Sequence, residues 1–100
     1  MSVIKANKHQ VGSNATASKN IVLEANTDGD LVISKGVHDG TLTEIARITN
    51  GGNIKLDGAY NTSHFELGTS HIWIDSFGKL RIKSGAPTSD TDGIIIGTQT

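Results

Sequence analysis

The chain contains no cysteine, one proline, one methionine and four aromatic residues, Tyr60, Phe65, Trp73 and Phe77. Without thiols, neither a disulfide nor a thiolate metal site can staple it. Aromatic side chains carry much of the burial in a typical core. Four of them among 100 residues, with an apolar share of 35%, leave little to bury. Small chains that are both unstapled and poor in core recover stability by association, so an oligomer is expected. Long hydrophobic runs are missing too. The longest is Ile94-Ile95-Ile96, against the roughly 20 apolar residues a membrane helix needs, and no membrane partner is expected. The opening residues lack the basic, apolar and small-residue succession of a secretory leader, so synthesis in a cytoplasm is expected.

Charge of one sign is absent overall, with a formal net charge of −1. There is no basic field to hold nucleic acid. The distribution is uneven. Residues 1–23 carry Lys5, Lys8 and Lys19 and no acid, whereas the remainder holds six Lys/Arg against ten Asp/Glu. Residues 1–20 are dominated by Ala, Ser, Asn and Thr, with Val3-Ile4 the only apolar pair. Such a segment builds no core of its own. It is expected to be an N-terminal arm, extended or disordered until bound, ahead of a β domain at residues 21–100.

What the sequence does have is β periodicity punctuated by glycine. Apolar and polar residues alternate at Ile72-Trp73-Ile74, Leu80-Arg81-Ile82-Lys83 and Ile54-Lys55-Leu56-Asp57, as in strands with one face inward. Leu31-Val32-Ile33 and Ile94-Ile95-Ile96 are unbroken aliphatic runs, the pattern of strands covered on both faces. Asp28-Gly29, Asn50-Gly51-Gly52, Phe77-Gly78 and Asp92-Gly93 supply glycine where tight turns need positive φ. Thr43–Ile48 has apolar residues three apart but runs into a hairpin signal, and a strand is expected there. Ile48–Leu56 aligns without gaps on Ile74–Ile82, and Asp28–Ile33 offers a third copy of the turn and its outgoing strand. The fold class expected is all-β: a small antiparallel hairpin or meander domain, sandwich- or barrel-like.

No catalytic motif emerges. His9, His38, His64 and His71 show no metal-ligand spacing, and Gly68 interrupts the seven-residue interval between the last two. Asp28-Gly29-Asp30 and Asp90-Thr91-Asp92-Gly93 lack the remainder of a calcium loop and read as turn chemistry. Glu24, Glu44 and Glu66 lie in polar surroundings, and neither a nucleophile elbow nor a phosphate loop is present. No metal, cofactor or enzymatic activity is expected.

Two stretches are familiar. His9–Thr16 leading into Ile21-Val22-Leu23 and Asp28–Ile33 resembles the opening of tailed-bacteriophage virion proteins, in which an Asn-Ala-Thr phrase precedes a strand, an Asp-Gly turn and a second strand. Trp73-Ile74-Asp75, Gly78–Lys83 and Gly85–Gly93, closing on Ile96–Gln99, resembles a C-terminal cassette of the same proteins. The resemblance implies a β-rich homotrimer on a virion. Its first placement is capsid decoration, as a cement or head-fibre protein bound to the major capsid protein. The alternative is a short tail-fibre or receptor-binding component, and a small carbohydrate-active enzyme is a third class. Under the first placement Val3, Ile4, Lys5, Lys8 and His9 would contact the capsid. Leu31, Val32, Ile33, Trp73, Ile94, Ile95 and Ile96 would lie at subunit interfaces.

Overall fold

The computed structural model describes residues 6–99. They form two antiparallel meanders. The first runs β1 (Lys8–Val11), β2 (Ile21–Ala25), β3 (Leu31–Lys35), β4 (Thr43–Ile48) and β5 (Ile54–Leu56) in spatial as well as chain order. The second runs β6 (Phe65–Leu67), β7 (Ser70–Ile74), β8 (Leu80–Ser84) and β9 (Ile94–Ile95). Among the described residues the one helical element is a single 3₁₀ turn, Ala17–Lys19. The all-β, hairpin-built architecture expected from the alternation is the one observed, and Thr43–Ile48 is a strand. The chain divides into two compact units, Met1–Lys55 and Leu56–Thr100.

The internal repeat has a structural cause. Three hairpins turn through the same five-residue device: Asn26–Asp30, Thr49–Asn53 and Asp75–Lys79. In each, the fifth residue accepts from the amide of the first, and the first accepts from the amide of the fourth. The fourth residue is Gly29, Gly52 or Gly78, with φ of 84°, 96° and 78°. This is the three-residue hairpin loop whose last position needs the left-handed conformation. The first residue also caps the turn with its side chain. Asn26 Oδ1, Thr49 Oγ1 and Asp75 Oδ1 each accept from the amide of residue five at 2.9–3.0 Å. A short oxygen-bearing side chain at position one and glycine at position four are therefore the repeated signal.

Part of the segment before residue 20 is paired within the chain. Lys8–Val11 pair in register with Glu24–Ile21, so from Lys8 onward this stretch is a strand and its return loop. Asn20 holds that loop. Its buried side chain accepts from the Asn14 amide at 2.8 Å and donates to the Asn14 and Ala17 carbonyls at 3.0 and 3.2 Å. Asn14 Oδ1 in turn accepts from the Thr16 amide, which accounts for the Asn-Ala-Thr phrase as turn chemistry. Val3, Ile4 and Lys5 lie outside the described residues.

Burial is sparse. Among the described residues only Val22, Val32 and Trp73 are buried apolar side chains. Where a turn glycine has open space, strain alone opposes a side chain. Nothing lies within 4 Å of a Cβ built on Gly78, whereas a Cβ on Gly93 would sit 2.3 Å from the Ile82 carbonyl oxygen. Gly78→Ala is expected to cost about 1–2 kcal/mol, the penalty of the left-handed conformation, and Gly93→Ala more. Urea unfolding of the two variants checks the order.

Candidate functional site

The second unit holds the densest polar chemistry, and its register shows how. Side chains alternate faces along a strand. Phe65, Ile72, Ile82 and Ile94 are successive cross-strand partners, so they form one row on one face. Leu67, Ile74 and Leu80, two residues away along their strands, share that face. The opposite face carries Glu66, His71 and Lys83 in one row and Trp73, Arg81 and Ile95 in the next.

The loop Gly85–Gly93 is bound to this second face. Trp73, 1% exposed, donates its indole N–H to the Asp90 carbonyl at 3.1 Å. Asp90 accepts from the amide and hydroxyl of Ser76. Arg81 donates to the Thr91 carbonyl at 2.8 Å and pairs with Asp75 at 2.5 Å. Asp92 takes the Lys83 ammonium together with the amide and hydroxyl of Thr88. Most of the charged residues of the cassette picked out in the sequence are thus paired with one another, Asp75 with Arg81 and Asp92 with Lys83. The Arg81 guanidinium, then the Lys79 and Phe77 amides, hold the Asp75 carboxyl below the usual carboxylate range. The Lys83 ammonium, then the Thr88 and Gly93 amides, hold Asp92 well below it. In the first unit, Arg47 joins Glu44 and Asp30. The carboxyl of Asp30 is lowered first by the Asn50 amide and that of Glu44 by Arg47.

A second constellation was not expected. Leu67 pairs with Ser70 across the two-residue loop Gly68-Thr69, which places Glu66 opposite His71. The glycine read as separating His64 from His71 is the bend that joins them. His64 Nε2 lies 2.7 Å from His71 Nδ1, with ring centroids 5.0 Å apart and planes at 54°. His64 Nδ1 faces the carbonyls of Ala59 and Thr62 at 3.0 and 2.8 Å. His71 Nε2 lies 3.1 Å from Glu66 Oε1. The His71 side chain is 14% exposed and that of Glu66 61%. A histidine immediately before a strand that ends in a two-residue glycine loop was the available signal. The rings contact each other directly, and no group of three His, Cys, Asp or Glu suited to a metal ion occurs among the described residues.

The residues expected to bind partners differ in exposure. Lys8 and His9 are exposed on the edge strand β1, Lys8 with Glu24 at 3.9 Å. Val32 is buried, whereas its neighbours Leu31 and Ile33 project from the other side of the sheet. Ile94, Ile95 and Ile96 are all exposed. Ile94 belongs to the aliphatic row, and Ile95 stands beside Arg81 on the opposite face.

The model of one protein family, capsule depolymerase, matches residues 1–98. The chain belongs to the capsule depolymerase family. Domains of this family are typically found in phage tail fibres and spikes, and membership marks the chain as phage virion-associated. No curated protein and no solved structure matches it. Membership corrects the expectation that the chain is not an enzyme, because the family's name is that of a polysaccharide-degrading activity. It also favours the tail-fibre or receptor-binding alternative over capsid decoration. The absence of a linear motif did not exclude such an activity, because carboxylates that cleave a glycosidic bond are paired in space and not in sequence.

The ion pairs give a pH signature. A depressed folded pKa stabilises the fold fully above the unfolded value, about 3.9 for Asp, and that stability is lost as pH falls through the folded value. Stability should therefore hold from neutral pH to about 4 and decline below it. Asp75→Asn should lower the urea midpoint at neutral pH and flatten the acid decline, as read from midpoints across the acid range.

Proposed function

We propose that this chain is a capsule-directed component of a phage tail fibre or spike, cleaving capsular polysaccharide as a homotrimer on the virion. The observation that carries the reading is the family match over residues 1–98. The unusual distribution of apolar side chains supports the oligomer. On the β6–β9 sheet, Phe65, Leu67, Ile74 and Ile94 are exposed on the aliphatic face, Ile94 at 69%. The other face already has its covering loop. Contiguous apolar surface of this kind marks an association site, and a chain with three buried apolar residues among those described gains stability when that surface is covered. A further copy of the chain is the partner always present when it folds, and the resemblance to phage virion proteins supports three copies.

Two measurements test the reading. Purified protein should release reducing ends from, and lower the viscosity of, capsular polysaccharide from at least one of a panel of encapsulated strains. Sedimentation should give a trimer at micromolar concentration. Ile94→Asp places a charge on the aliphatic row at a position exposed within the chain, so it should leave the single-chain fold intact. Burying an unpaired charge at a contact is costly enough that association should weaken at least about tenfold, 1.4 kcal/mol or more. A variant that sediments as the unaltered protein does would place the contact elsewhere.

A further inference from the structure

The contacts around His64 and His71 fix a proton count. The carbonyls of Ala59 and Thr62 only accept, so His64 Nδ1 carries a hydrogen. One proton must then lie between His64 Nε2 and His71 Nδ1. If that proton is on His71 Nδ1 and the ring is neutral, its Nε2 lone pair faces the lone pairs of Glu66 Oε1. The chain of contacts is complete only with a third proton there, one more than two neutral imidazoles and a carboxylate carry together. The extra proton has three resting places: His64 as imidazolium, His71 as imidazolium, or Glu66 as a neutral acid. Moving it outward carries positive charge from His64 to His71 and cancels it at the carboxylate. Lys83 stands beside His71 in the ladder, but its ammonium is engaged by Asp92. It therefore does not compete for Glu66. The inner end of the chain is tied to backbone, and the outer end is the most exposed of the three side chains.

We infer that Glu66, His71 and His64 form a proton relay, with Glu66 the catalytic residue that protonates the glycosidic oxygen of a capsular polysaccharide and the two histidines its positioning residues. The inference rests on the cleavage proposed above and names the site that performs it. In the form with the proton on the carboxyl, Glu66 gives it to the bridging oxygen. The carbon–oxygen bond breaks, its electron pair stays on that oxygen, and the leaving sugar departs as an alcohol. Water supplies a hydroxyl to the carbon, and its remaining proton returns to the contact between Glu66 and His71. The net reaction is hydrolysis, with the relay restored to its starting proton count.

The test uses the intact chain. Glu66→Gln keeps the shape of an exposed side chain and removes its proton exchange. It should lower kcat on the cleaved capsular polysaccharide by about 10²–10⁴-fold, the usual contribution of general acid catalysis, with KM and circular dichroism unchanged. His71→Gln should lower kcat in the same direction with KM held, a split that a merely structural role would not give. Imidazole nitrogen shifts of the unaltered protein, which need no substrate, should report the hydrogen of neutral His64 on Nδ1. If the unaltered protein cleaves and Glu66→Gln cleaves equally well, the relay has no catalytic role. If His64 instead carries its hydrogen on Nε2 with Nδ1 bare, the proton count is wrong and the relay falls whatever the activity. If the unaltered protein cleaves none of the capsules, the functional reading itself is overturned, and the catalytic assignment with it.

Discussion

The second unit hangs on one carboxylate. Asp75 Oδ1 accepts the Phe77 and Lys79 amides and so closes the turn between β7 and β8. Its Oδ2 takes Arg81 Nε, which aims Nη1 of the guanidinium at the Thr91 carbonyl. That contact holds the Gly85–Gly93 loop over Trp73, whose indole bonds to the same loop one residue earlier. A local turn, a buried ion pair and the cover of the largest buried side chain are thus coupled through one group. Removing one partner of such a network costs more than the pair contributes in isolation, because the other charge is left buried without compensation.

The network divides the labour between the two faces of the sheet. Polar side chains on the covered face are satisfied within the chain, and no buried side-chain nitrogen or oxygen among the described residues lacks a partner. The aliphatic face has no such loop. The first unit follows the same economy by other means. Its buried Val22 and Val32 share a face with the Lys8–Glu24 pair, while Leu23, Leu31 and Ile33 point the other way. In the second unit a loop, and not aromatic bulk, seals one side of the meander.

Much of the fold was legible because its signals are local. A capping side chain, two residues, then glycine and alternation specify a hairpin without reference to anything distant, so the three turns and the strands around them could be read directly. The boundary at residue 20 could not. Whether Lys8–Val11 pairs depends on Asn20 gathering the carbonyls of a loop, and nothing in a polar stretch of Ala, Ser and Asn announces that. The aliphatic alternation was visible, but which face lacks cover is a tertiary fact decided by Asp90–Asp92. His64 and His71 were seen and set apart, because Gly68 was taken as an interruption when it is a two-residue turn. The site was missed through a question of register, not of composition.

That turn has a consequence for how the chain can vary. Exposed loops are ordinarily where insertions are tolerated. Gly68-Thr69 is exposed yet sets the pairing of Glu66 with His71. Side chains alternate with a strict period of two, so one added residue would turn β6 over. Glu66 would enter the aliphatic row, and Phe65 and Leu67 would replace it among the charged side chains. Length at this bend is therefore constrained as tightly as residue identity in a core, although both of its residues are exposed. Related chains should be free to change the residues there while keeping their number.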